Sequence, residues 1–215
     1  MPLLGQYSVA GADVLVWKVT ETLDELLGMV SPLCAAYALE NFASTKRCVE
    51  WLAVRAVVAR LFGADVRIMY DATGKPRLDG VDGCVSISHT EGYAVVAFSR
   101  DGEIGVDVEL LTRDVVPVAR RFMPLELLDG LSASERNCVA LLHWCAKEAL
   151  FKIVGDLGGT FKDNISVAPF SFEDKGQVKL SLVGVDNAGE NSFVADYCVF
   201  NGLLVTLCRK SCVAG

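Results

Sequence analysis

Across its 215 residues the chain has only two histidines, His89 and His143, and none of its eight cysteines forms a Cys-x-x-Cys pair. Those spacings argue against a structural zinc site, which needs four clustered thiolate or imidazole ligands. Cys34, Cys48, Cys84, Cys138, Cys145, Cys198, Cys208 and Cys212 are scattered through apolar stretches and read as reduced, mostly buried thiols. Long apolar runs are also missing, and Met1-Pro2-Leu3-Leu4-Gly5-Gln6 lacks the basic start and apolar core of a secretory signal. The expectation is a cytoplasmic protein with no membrane partner. Basic excess is absent too: 20 Lys and Arg stand against 27 Asp and Glu, a formal charge of -7. That argues against nucleic acid as a partner. Neither phosphate-binding glycine loop is present. Gly74-Lys75-Pro76 lacks the upstream glycine and following Ser/Thr of a P-loop, and Gly102-Glu103-Ile104-Gly105 is not a dinucleotide fingerprint.

What is present is a globular composition, 52% hydrophobic and 22% charged. Val14 to Val19 reads as an early strand. A helix runs from about Ser44 to Leu61, with Trp51, Val54, Val57, Val58 and Leu61 as its apolar stripe and Gly63 as its stop. Tyr70 to Leu78 is a loop punctuated by Gly and Pro. Val85 to Ser88, Tyr93 to Phe98 and Ile104 to Val108 follow as an antiparallel meander, turned at Glu91-Gly92 and Asp101-Gly102. Ser132 and Glu135 form a capping box that opens a helix to about Val154, ended by Gly155 and followed by a glycine-rich loop to Thr160. Strands return at Val178 to Leu182, Phe193 to Phe200 and Leu203 to Cys208, the last two joined by an Asn201-Gly202 turn. The order predicts an α+β fold with antiparallel sheets. The two halves share a plan of one long helix plus a small sheet, divided as 1–109 and 110–215, with Leu110 to Pro117 as the connection.

Two acidic segments carry the chemistry. In Ile104-Gly105-Val106-Asp107-Val108-Glu109 the carboxylates Asp107 and Glu109 sit two apart on a strand and share a face. Periodicity alone favours an amphipathic strand with that face in water. In Trp144-Cys145-Ala146-Lys147-Glu148-Ala149-Leu150-Phe151-Lys152, Glu148 and Lys152 share a helix face with Trp144. An exposed ion pair is the bland alternative, and the neighbouring Trp argues against it. If strand and helix pack together, three carboxylates and one ammonium converge on a site for a hard divalent cation and a phosphate. Ser88 and His89 are adjacent on a strand, so their side chains diverge and do not make a nucleophile–base pair. Lys46, Arg47, Arg55 and Arg60 lie off the apolar stripe of the first long helix, where a solvated face is the plain reading.

In this order and spacing, Gly74-Lys75-Pro76, Ser86-Ile87-Ser88-His89, Gly105-Val106-Asp107-Val108-Glu109 and Trp144 to Lys152 resemble the 4'-phosphopantetheinyl transferases. The closer resemblance is to the long, monomeric type that activates peptide, polyketide and fatty-acid synthases. It implies two similar α+β halves related by a pseudo-two-fold, with the active site between them. It implies transfer of the phosphopantetheine arm of coenzyme A to a serine of an apo acyl or peptidyl carrier protein, releasing adenosine 3',5'-bisphosphate. Asp107, Glu109 and Glu148 would hold magnesium, or manganese in its place. Lys152 would contact the phosphates, and Lys75, Ser88 and His89 the coenzyme. Glu148 or a metal-bound water would accept the serine proton. The resemblance also implies a basic residue for the 3'-phosphate on the first long helix or its lead-in, with Lys46, Arg47 and Arg55 as candidates; as a departure, Tyr70 and Thr73 stand where members often carry a basic residue. Because carriers are acidic too, docking is expected to use apolar contacts and local basic residues such as Arg120, Arg121 or Lys162. A magnesium-dependent phosphohydrolase and a non-catalytic coenzyme-binding module are the competing readings.

Overall fold

In the computed structural model the described residues are 3–156, 158, 160–184 and 191–210. Met1 and Pro2, Leu157 and Gly159 of the glycine-rich loop, and Cys212 lie outside them. The chain divides into two compact units, Met1–Asp101 and Gly102–Gly215.

In the first unit come β1 (Leu3–Val9), β2 (Ala12–Lys18), α1 (Leu23–Met29), α2 (Pro32–Asn41) and α3 (Thr45–Phe62). They are followed by β3 (Ile68–Tyr70), β4 (Pro76–Leu78), β5 (Cys84–Thr90) and β6 (Tyr93–Ser99). A four-stranded antiparallel sheet has the order β1-β2-β6-β5, and β3-β4 is a separate hairpin. The stretch expected as a loop from Tyr70 to Leu78 is therefore the tip and return strand of that hairpin. α3 starts and stops as its sequence predicts. Ser44 accepts from the Arg47 N–H, and Gly63 ends the helix at φ +104°. Its Leu52, Ala53, Val57 and Val58 are fully buried with Trp17 and Val96 of the sheet. Trp51 and Leu61, expected in the apolar stripe, are only half-buried. Helices α1 and α2 are absent from the sequence reading. Both are short, and their signals are caps rather than periodicity: a Thr22–Glu25 capping box and Ser31 ahead of Pro32.

In the second unit come β7 (Ile104–Leu110), two 3-10 turns (Val116–Arg121 and Leu125–Leu128), α4 (Ala133–Val154) and α5 (Phe161–Asn164). Then follow β8 (Ile165–Val167), β9 (Lys175–Leu182), β10 (Ser192–Phe200) and β11 (Leu203–Lys210). The sheet is antiparallel, in the order β7-β11-β10-β9-β8. β7 does not continue the β5-β6 meander. β6 already has β5 on one edge and β2 on the other, so β7 pairs instead with β11, from Leu110 opposite Leu203 to Ile104 opposite Arg209. The division between units thus falls before β7, not after Glu109, and Leu110 to Pro117 lies inside the second unit. Asn201 and Gly202 adopt φ +50° and +77°, the left-handed pair a two-residue hairpin needs. α4 opens on the Ser132–Glu135 capping box and buries Leu141, Leu142, Ala146 and Leu150 against Phe122, Met123 and Leu204.

The α+β class holds, and each unit carries one long helix and antiparallel strands. The seven described cysteines are free thiols; Cys48, Cys145 and Cys208 are buried and the other four half-buried. Among the described residues no helix is long and apolar enough to cross a membrane.

Candidate active site

The acidic corner of the second unit begins with a residue that has no side chain. A Cβ on Gly105 would sit 1.8 Å from the Ala149 carbonyl oxygen, so β7 and α4 touch backbone to backbone here. Alternation along β7 then turns Asp107 and Glu109 toward the same helix. They are 6% and 7% exposed, which overturns the expectation of a polar face in water.

A carboxylate buried to this degree needs a partner. Asp107 finds Lys152, whose Nζ donates to its Oδ1 at 3.0 Å and to the Val106 carbonyl at 2.6 Å. Lys152 therefore pairs across to the strand, not along the helix to Glu148. The Cys145 thiol also hydrogen-bonds Asp107; burial, then that carboxylate's charge, pushes the thiol well above its usual range. Glu109 pairs with Arg113, four residues on. The Arg113 guanidinium also stands 5.8 Å from the centre of the Trp144 ring. Trp144 is half-buried and packs edge-on against Phe122 at 5.3 Å.

Glu148 lies one helical turn before Lys152 and is half-buried. Burial raises its pKa first, and the Asp107 charge raises it further, while Lys152 and Arg113 oppose the shift. Asp107, Glu148, Lys152 and Arg113 therefore sense one another. Among the described residues no three His, Cys, Asp or Glu side chains are arranged to hold a metal ion as they stand. The donor set nevertheless fits a hard divalent cation, because Asp107, Glu109 and Glu148 offer only carboxylate oxygens. Cys145 and Arg113 were not among the sequence candidates. The only signal for Arg113 was its place four residues after Glu109.

The first unit holds the remaining candidates. Lys75 is half-buried on the β3–β4 turn, which Asp71 organises. One Asp71 oxygen accepts from the Thr73 N–H, the Thr73 hydroxyl and the Lys75 N–H. Those bonds, led by the hydroxyl, hold its carboxyl down at about 2. Ser88 is buried and His89 exposed, on opposite faces of β5, as adjacent strand residues must be.

The cations of α3 differ in their surroundings. Lys46 and Arg47 are exposed on its first turn, whereas Arg55 lines a cavity of about 300 Å3 with Tyr37, Trp51 and Tyr70. Its guanidinium lies 3.3 Å from the centre of the Trp51 ring, and Nη1 donates to the Trp51 carbonyl at 3.1 Å. Burial lowers its pKa, with a Tyr70 hydrogen bond opposing. Tyr37 stacks on the same indole at 5.4 Å. The arrangement is a cationic, aromatic slot suited to an anion carried beside a flat ring.

Known proteins resemble this chain. HetI, a 4'-phosphopantetheinyl transferase of Nostoc sp. (strain PCC 7120), is 26% identical over 166 residues, 67% of this chain and 69% of that protein. The candidate 4'-phosphopantetheinyl transferase slr0495 of Synechocystis sp. (strain PCC 6803) is 30% identical over 115 residues. That match covers 48% of this chain and about half, 47%, of slr0495. Residues 103–208 match the profile of the 4'-phosphopantetheinyl transferase superfamily. The matched stretch runs from β7 nearly to the end of β11 and contains the whole acidic corner, and by it the chain is similar to that superfamily of transferase enzymes.

Proposed function

We propose that this enzyme transfers the 4'-phosphopantetheine arm of coenzyme A to a serine of an apo acyl, peptidyl or polyketide carrier protein. The observation that carries the reading is the buried acidic corner, where Asp107, Glu148, Lys152 and the Glu109–Arg113 pair meet within the family-matched stretch. Magnesium, or manganese in its place, would be held by Asp107, Glu109 and Glu148 and would neutralise charge on the pyrophosphate and the leaving group.

The rest follows from the chain's own residues. The serine oxygen forms a bond to the phosphorus that carries the pantetheine arm. The bond from that phosphorus to the bridging oxygen breaks, and adenosine 3',5'-bisphosphate leaves with the electron pair. Glu148 receives the serine proton, directly or through water; its raised pKa makes it a better acceptor near neutrality than an ordinary carboxylate. Lys152, fixed by two acceptors, holds a positive charge beside the reacting phosphate. Positioning supplies most of the acceleration, because an in-line displacement needs little covalent help.

In the first unit, Arg55 in its aromatic slot takes the 3'-phosphate and adenosine end, with Lys75, Ser88 and His89 along the coenzyme. Of the three candidate cations Arg55 is preferred here because it lines the cavity, while Lys46 and Arg47 are exposed on the first turn of α3. One chain carries both sets of residues, in keeping with the long type acting as a monomer in the cytoplasm.

The test is intact-protein mass spectrometry of a panel of apo carriers incubated with enzyme, coenzyme A and magnesium. A gain of one phosphopantetheine mass, lost with chelator and with Glu148→Ala, is the expected result. Hydrolysis of coenzyme A without any carrier gain would point to a phosphohydrolase instead.

A further inference from the structure

The two strand carboxylates of the acidic corner already hold cations of the chain itself, and the two cations are held differently. Lys152 reaches Asp107 from α4 and is anchored twice, on the carboxylate and on the Val106 carbonyl, with its side chain 27% exposed. Arg113 reaches Glu109 from the turn after β7, with its side chain 48% exposed. The backbone of that turn is fixed. The Arg113 N–H donates to the Leu110 carbonyl at 2.9 Å, and Asn137 Nδ2 donates to the Leu111 and Arg113 carbonyls, both at 3.1 Å. Only the Arg113 side chain is left to move, and the face of Trp144 offers it a second resting place.

We propose that Arg113 is a resident counter-ion of Glu109 that a divalent cation displaces. The inference rests on reading Glu109 as a metal ligand. A carboxylate only 7% exposed is costly to leave without a cation. Without metal, Arg113 supplies it. With metal bound, guanidinium and ion repel across the same carboxylate, so the guanidinium leaves and stays against the indole. The exchange accounts for carboxylates of suitable chemistry that are not arranged around an ion as they stand. It also makes Arg113 a competitor for the ion in the absence of coenzyme A.

The experiment is Mn2+ titration without coenzyme A, with free Mn2+ read by electron paramagnetic resonance, on wild type, Arg113→Gln, Arg113→Lys and Glu109→Gln. Near-ultraviolet circular dichroism confirms that each is folded. Removing a half-exposed competing charge should tighten Mn2+ binding about three- to tenfold in Arg113→Gln, and less so at high salt. Arg113→Lys keeps the charge and should stay near wild type, while Glu109→Gln should bind more weakly. Unchanged or weaker binding by Arg113→Gln, with Glu109→Gln still impaired, overturns the exchange alone. An equal gain in Arg113→Lys and Arg113→Gln overturns it as well. Wild-type binding by Glu109→Gln, or binding by none of the four, removes the metal-ligand reading and the exchange with it.

Discussion

Gly105→Ala adds one methyl group at the closest approach of β7 and α4. The new Cβ would lie 1.8 Å from the Ala149 carbonyl oxygen and 2.9 Å from its carbon. Normal contact requires a retreat of roughly 1.5 Å. Neither side can yield by changing rotamer, because the obstacle is helix backbone. Around it Ala146, Ala149 and Leu150 are all 0% exposed, so no empty space takes up the shift. Overpacking of this kind costs about 3 kcal/mol, which for a chain of this size lowers Tm by roughly 6–12 °C. Activity should fall further than stability. The same strand carries Val106 and Asp107, which hold Lys152 at 2.6 and 3.0 Å. A displacement above 1 Å breaks that geometry and should lower carrier modification by about 100-fold. Gly28→Ala is the control: it sits in α1 with nothing within 4 Å of its Cβ. That change should be neutral or stabilise by up to about 1 kcal/mol. Urea melts and the mass-spectrometric assay on folded protein read both effects. Wild-type stability and turnover in Gly105→Ala would refute the backbone contact and the corner built on it.

Two further outcomes are expected. Arg55→Ala removes the guanidinium between Trp51 and Tyr70, and should raise the KM for coenzyme A about 10- to 100-fold. Its kcat should stay within a few-fold, and Lys46→Ala or Arg47→Ala should leave KM unchanged; equal effects of all three would exclude the slot. His143 is 4% exposed, its Nδ1 has no hydrogen-bond partner among the described residues, and burial, with Lys147 nearby, lowers its pKa to about 4. Between pH 4 and 6.5 the unfolded chain binds a proton there that the folded chain does not. Stability is therefore fully present above pH 6.5 and declines as pH falls toward 4, by about 3 kcal/mol at most. His143→Phe should flatten that slope in urea titrations at pH 4.5 and 7. Glu148, whose raised value acts with the opposite sign, is common to both proteins, and an unchanged slope would refute the assignment.

Local signals made the long helices legible. Ser44 and Gly63, and Ser132 and Gly155, bracket α3 and α4, and Asn201-Gly202 fixes the last hairpin, because caps and turns are decided within a few residues. The partner of β7 was not legible. Pairing with β11 joins residues far apart in sequence, and alternation says which residues share a face without saying what covers it. The burial of Asp107 and Glu109 was missed for that reason. Arg55 was one of several cations on α3; it stands out only when β3, approaching through the chain's return, places Tyr70 beside it.

The adjacent pair Lys147-Glu148 shows why motif and role can separate. Successive helix residues diverge by about 100°, so the two side chains serve different surfaces of α4. Glu148 faces the acidic corner. Lys147 is 2% exposed, and its Nζ donates to the Phe161 and Ile165 carbonyls at 2.9 and 2.6 Å, with burial lowering its pKa to about 8. It ties α5 and the start of β8 to the helix. The Phe161 ring held there packs on Trp144 at 6.0 Å and Phe151 at 5.4 Å. Trp144 in turn receives Phe122 on its edge and Arg113 near its face. A lysine on another face of the helix thus stands at the end of a packed series that leads to Glu109. Within one helical turn the motif supplies, on one face, the carboxylate proposed as proton acceptor and, on the other, the anchor for the indole beside it.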